Sequence, residues 1–169
     1  ALADKLALGG ENAAAEQLRT AATGTNVNIF TGNKMEVPVN VLRNIAGKKV
    51  TLALQPGSGF AFSISGNELK KADSPFVLTV SAAANIPEAV RREVLTDACA
   101  SREFVAEGTG MSSLPVNLHI NFGVENAGRK AFLYYYDEAA GAMRLTGSFI
   151  VTENGQAMFR FNRGGRYIA

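Results

Sequence analysis

From Val27 onward the apolar residues come in short runs, most of them alternating with polar positions and closed by Gly, Pro or Asn. A period of two between turn residues is the pattern of strands in a sheet with one buried face. The runs are VNIF (27–30), KMEV (34–37), VTLAL (50–54), FAFSI (60–64), FVLTV (76–80), a stretch near Phe104–Ala106, and VNLHINF (116–122). From Lys130 to Ala169 three more apolar runs are separated by turn signals at Asp137–Gly141 and at Asn154-Gly155. An Asn-Gly pair between alternating hydrophobics predicts a hairpin through a type I′ turn, whose two central residues need positive φ. The expected end of the chain is therefore an antiparallel meander over 130–169.

Two stretches follow the helical period instead. After Pro38, which suits a first helical turn because its missing N–H is not needed there, Val41, Leu42 and Ile45 share one face and Gly47 suits the position just past the end. After Ile86-Pro87, Val90, Val94, Leu95 and Ala98 share a face, with Asn85 as N-cap and Glu88 three residues on. Residues 1–24 have a different texture. They are Ala-rich with almost no β-branched residues and read as a helical N-terminal segment, broken at Gly9-Gly10, or as a linker from a preceding domain. The expected fold is thus mainly β: an antiparallel β-sandwich-like module over 25–169 with two short Pro-capped helices. Segments 27–67 and 76–124 repeat one order of elements, strand, Pro-opened helix, strand, Gly-rich turn, strand. This reads either as an internal duplication or as a chance likeness of generic β segments.

Composition narrows the function classes. With 169 residues, 47% of them hydrophobic and 19% charged, the chain holds enough apolar material for one real core. A net charge of +2 without a dense Lys/Arg cluster argues against nucleic acid as partner; Arg160, Arg163 and Arg166 beside Gly164-Gly165 read as a solvated loop. No run reaches the roughly 18 apolar residues of a membrane helix, so no membrane insertion is expected. The single Cys99 rules out an internal disulfide framework and reads as a small buried hydrophobe. The chain starts at Ala1 rather than Met, which reads as an excised or processed piece of a longer chain with neighbouring domains.

Candidate chemistry is sparse. The only histidine, His119, alternates with Leu118 and Ile120 and shares a face with Asn117 and Asn121; no second His or carboxylate stands at metal-ligand spacing. Gly57-Ser58-Gly59 lacks the spacing of a nucleophile elbow, and neither a P-loop nor a dinucleotide fingerprint is present. Asp137-Glu138 sit together in a turn, on different sides. The expectation is no catalytic residue, no metal and no cofactor. The best binding feature is aromatic. In AFLYYY (131–136), the period of two puts Phe132, Tyr134 and Tyr136 on one sheet face and Leu133 and Tyr135 on the other. In the next strand Met143, Leu145, Phe149 and Val151 alternate with Arg144, Thr146, Ser148 and Thr152. If Leu133 and Tyr135 join that apolar set, Phe132, Tyr134 and Tyr136 face the same way as Arg144 and Arg160. Such a row stacks on sugar rings in a carbohydrate-binding module, or it is cross-strand packing that stiffens an ordinary sheet.

The stretch from Asn121 to Ile168 resembles a module that recurs in large secreted and cell-surface proteins of Clostridia-like Gram-positive bacteria. The matching elements are Asn126-Ala127-Gly128, the Leu133–Tyr136 strand, the Asn154-Gly155 turn and the closing Tyr167-Ile168, with the helix opened by Ile86-Pro87 also similar. The likeness spans about residues 27–169. It departs at Asn162-Arg163-Gly164-Gly165-Arg166, where that module carries a His- or Ser-bearing ending. The resemblance implies an extracellular or cell-surface, non-catalytic β-sandwich module serving as spacer, adhesion or scaffold unit, with a glycan or another surface protein as partner. It transfers no catalytic residue.

Overall fold

A computed structural model describes residues 26–31, 34–56, 60–82, 84–96, 100–111 and 113–169. The expected helical segment 1–24 and Cys99 lie outside the described residues.

The strands follow the alternating runs. In chain order they are β1 (Asn26–Thr31), β2 (Lys34–Val37), β3 (Thr51–Pro56), β4 (Phe60–Ser65), β5 (Phe76–Ala82), β6 (Glu103–Thr109), β7 (Val116–Asn121), β8 (Lys130–Asp137), β9 (Ala142–Ile150), β10 (Gln156–Phe161) and β11 (Gly165–Ile168). The short helices are α1 (Val39–Ile45) and α2 (Glu88–Arg91), and a 3-10 turn covers Val124–Asn126. One sheet has the order β1-β3-β4-β7-β10 and the other β2-β5-β6-β11-β8-β9. Pairing is antiparallel apart from β1, which adds to β3 in parallel.

The two sheets share one core, which makes the fold sandwich-like. Val116, Leu118 and Ile120 of β7 and Ala157, Phe159 and Phe161 of β10 are buried, while their alternating neighbours face outward. Between the sheets runs a chain of rings. Phe60 lies 4.7 Å from Phe104, Phe104 stacks on Tyr167 at 5.2 Å, and Tyr167 meets Phe161 at 5.4 Å and Tyr135 at 5.5 Å. Phe60 and Phe161 belong to the five-stranded sheet and the others to the six-stranded one, so these contacts join the layers.

Helix α1 is as the pattern predicts: Pro38 caps it, Val41, Leu42 and Ile45 are buried, and Gly47 follows the C-cap at φ +73°. Helix α2 differs. It begins after Pro87, with no side-chain cap, and Asn85 takes a left-handed conformation at φ +48°. Glu88 turns instead to Arg91 and Arg92, which bind it at 2.7 and 2.9 Å. Arg91 also bridges to Glu103 at the start of β6.

The expected meander is only half present. Strands β8 and β9 form a hairpin, but β10 leaves for the five-stranded sheet to pair with β7, and β11 inserts between β6 and β8. The Asn154-Gly155 turn is thus a corner between layers. Its geometry also differs from type I′, because among these residues only Gly155 has positive φ, at +76°. Gly155 N–H donates to the Thr152 carbonyl at 2.8 Å and Thr152 N–H to the Gln156 carbonyl at 2.8 Å, the bonds of a type I turn followed by a glycine bulge. The two similar segments also distribute differently: β3 lies in the five-stranded sheet and β6, its counterpart, in the six-stranded one.

Tyr167 gives the core a pH response. Burial pushes its phenol up to about 12, against a smaller opposing pull from Arg163, whose carbonyl accepts its O–H at 2.8 Å. The fold therefore favours the neutral phenol, and the unfolded chain ionises first, near pH 10. The stability this contributes is complete below pH 10 and falls as pH rises toward 12. Urea unfolding at pH 9, 10 and 11 is expected to show declining stability, and Tyr167→Phe is expected to flatten that slope; an equal slope in both proteins contradicts the assignment.

Candidate functional site

Strand β8 places Phe132, Tyr134 and Tyr136 on the outer face of the six-stranded sheet, away from the shared core. Leu133 and Tyr135 turn inward. Their fates differ because α2 and the chain after it cross this outer face. Tyr136 is buried in a small second cluster with Ala84, Ile86, Val90 and Ile168. Tyr134 is half-buried and Phe132 is exposed. The rings of Phe132 and Tyr134 stand 6.2 Å apart at 37°, so they do not form a flat platform.

The two arginines lie elsewhere. In β9, Thr146 is an extra residue, a bulge that shifts register between Leu133 and Tyr134, and its hydroxyl donates to the Leu133 carbonyl at 2.8 Å. On one side of the bulge Met143 and Leu145 stand opposite Tyr136 and Tyr134, on the outer face; on the other, Gly147 and Phe149 stand opposite Leu133 and Ala131. Arg144 stands opposite Tyr135 and so on the other face from the tyrosine row. It holds Asp137 at 2.7 Å, and that bond keeps the Asp137 carboxyl below the usual carboxylate range. Arg160 belongs to the five-stranded sheet, where it pairs with Glu68 at 2.8 Å. Arg163 lies 3.6 Å over the Tyr135 ring, and Arg166 reaches Glu138 at 3.3 Å. All three clustered arginines therefore have partners.

In place of a five-residue site the structure has a groove beside the tyrosine row. Val94 and Leu95, in the segment after α2, form one wall; Phe132, Tyr134 and Ile168 form the sheet side. Its volume is about 150 Å³. Arg129 and Lys130 stand exposed at its rim, and among the described residues neither meets a carboxylate; the Lys130 ammonium sits 5.4 Å over the Phe132 ring. Among the described residues five large apolar side chains are exposed: Val124, Phe132, Leu145, Ile150 and Met158. Three of them stand at this groove or beside its lining: Phe132 lines it, Leu145 is opposite Tyr134, and Ile150 is opposite Lys130.

The outer face of the five-stranded sheet is polar. There Ser63 Oγ and His119 Nε2 are hydrogen-bonded at 2.8 Å, the spacing of a nucleophile and its base. Burial lowers the His119 pKa, which favours the neutral ring. Among the described residues no carboxylate orients that imidazole. Ser63 shares a face with Ala61 and Ser65 in FAFSIS and carries no local signal, because only the β4–β7 register brings it to His119. Likewise Arg129 and Lys130 carry no local signal; only the tertiary fold brings them to Leu95 and Ile168. Among the described residues no three His, Cys, Asp or Glu side chains gather into a metal-binding set, and no helix is long and apolar enough to cross a membrane.

Comparisons with protein-family models, with curated proteins and with solved structures find no match to this chain.

Proposed function

We propose that this chain is a non-catalytic recognition module, of the adhesion or scaffold kind, that binds through the outer face of its six-stranded sheet. The observation that carries this reading is the gathering of exposed apolar side chains around one groove, with two cations at its rim that meet no carboxylate among the described residues. Exposed apolar area costs about 25 cal/mol per Å² until covered, and a contiguous patch of it marks an interaction surface. Among the described residues that line the groove there is no carboxylate, imidazole, thiol or aliphatic hydroxyl, which suits binding better than acid–base or nucleophilic chemistry. A second reading, glycan binding, draws on Phe132 and Tyr134 as neighbouring rings on one face, although the angle between them favours a side chain wedged beside them over a sugar laid flat. Placement outside the cell, in a longer surface or secreted protein, rests on the likeness of residues 121–168 to the Gram-positive module.

A fragment screen on isotopically labelled protein by NMR tests the proposal. Hits are expected to shift Leu95, Tyr134 and Ile168. Hits confined to the Ser63–His119 face, or ester hydrolysis abolished by His119→Ala, overturn it.

A further inference from the structure

We infer that the groove takes one aromatic side chain from an acidic segment of a partner polypeptide, with the flanking carboxylates meeting Arg129 and Lys130; this rests on the recognition reading above. Size limits the occupant. An apolar cavity of about 150 Å³ holds a molecule the size of benzene, whereas sites for larger organic ligands run from about 300 Å³ upward. The groove of about 150 Å³ therefore suits one ring and not an extended ligand. Its walls are apolar at Val94, Leu95 and Ile168, so what enters must shed little hydration. Asn126, in the lining, already donates to the Phe122 carbonyl at 2.8 Å, which leaves few polar partners for the hydroxyls of a sugar.

Charge sets the flanks. Arg129 and Lys130 are consecutive, exposed and without a carboxylate partner among the described residues, whereas Arg144, Arg166, Arg91 and Arg163 are engaged with Asp137, Glu138, Glu103 and the Tyr135 ring. Two cations beside an apolar slot attract a chain in which an aromatic residue is bordered by Asp or Glu. The exposed Leu145 and Ile150 extend the apolar surface along β9, so the bound segment rests on the sheet on both sides of its anchor.

The test uses the full chain, isotopically labelled, and three capped pentapeptides: Glu-Asp-Phe-Glu-Asp, the same with Ala for Phe, and the neutral Gln-Asn-Phe-Gln-Asn. The acidic Phe peptide is expected to bind with Kd of about 0.1–1 mM, shifting Leu95, Tyr134 and Ile168. The Ala peptide is expected to bind at least about tenfold more weakly, and the neutral one roughly threefold to tenfold more weakly, a gap that closes at high salt. Arg129→Ala with Lys130→Ala, both exposed, should bring the acidic peptide down to the neutral one while the spectrum stays folded. Equal binding of neutral and acidic peptides, or of the Phe and Ala peptides, overturns the inference. If no peptide binds but soluble oligosaccharides shift Tyr134, the acidic-peptide inference falls and the recognition reading stands. If neither shifts the groove, both fall.

Discussion

Phe104→Ala is expected to be among the most damaging single substitutions in this chain, lowering stability by about 3–5 kcal/mol. Phe104 is fully buried, and it is the ring through which β6 of one sheet meets β4 of the other: it touches Phe60 at 4.7 Å and stacks on Tyr167 at 5.2 Å with 9° between planes. Truncation removes the transfer free energy of the ring and leaves a cavity that the strands cannot close, because both backbones are held by their own ladders. The loss of two ring contacts, at roughly 0.5–1.5 kcal/mol each, is part of that cost. For a chain of this length the fall in Tm is expected at roughly 6–20 °C. Differential scanning calorimetry checks it, with Phe104→Leu as a milder companion. An alanine variant melting within a degree or two of the parent shows that the sheets are not joined at this ring.

Gly155→Val is expected to cost about 2–5 kcal/mol, from two separable causes. The residue holds φ at +76°, where a side chain costs about 1–2 kcal/mol, more for a β-branched one. A Cβ at this position also stands 2.6 Å from the Gly123 carbonyl oxygen and 2.7 Å from the Val124 nitrogen, so backbone must move, at roughly 1–3 kcal/mol. The close approach exists because the turn docks on the loop after β7, where Phe122 N–H donates to the Gly155 carbonyl at 2.8 Å. Gly141 is the control: its φ is +61° and a Cβ there meets nothing within 4 Å, so Gly141→Ala carries only the conformational part, about 1 kcal/mol. Chemical denaturation of Gly155→Ala, Gly155→Val and Gly141→Ala separates the two causes. If Gly155→Ala is no worse than Gly141→Ala, the docking of the corner on Gly123 is wrong.

The candidate site is half legible in the sequence. Alternation in AFLYYY suffices to put Phe132, Tyr134 and Tyr136 on one face, because side chains on an unbulged strand alternate as a matter of backbone geometry. The neighbouring strand does not obey that rule across Thr146. One extra residue turned Arg144 to the other face from the tyrosines, and nothing in AMRLTGSFI marks where it sits. A continuous meander over 130–169 would set Arg160 on the same sheet as the row. Strand β10 instead crosses to the other layer, which carries Arg160 to Glu68.

By itself the sequence determined what local backbone chemistry controls. It located most of the strands through their period of two, the opening of α1 through Pro38, the buried stripe of Val41, Leu42 and Ile45, and the bend at Gly155. These depend on sterics within a few residues. The tertiary structure alone decided which strand lies beside which, because pairing partners are chosen by the joint burial of many inner faces and each strand fits several. From that choice follow the contact of Ser63 with His119, the burial of Tyr136 beneath the α2 segment, and the meeting of Leu95, Ile168, Phe132 and Tyr134 in one groove. Arg129 and Lys130 are ordinary surface cations in the sequence; only the tertiary structure sets them at the rim of a groove.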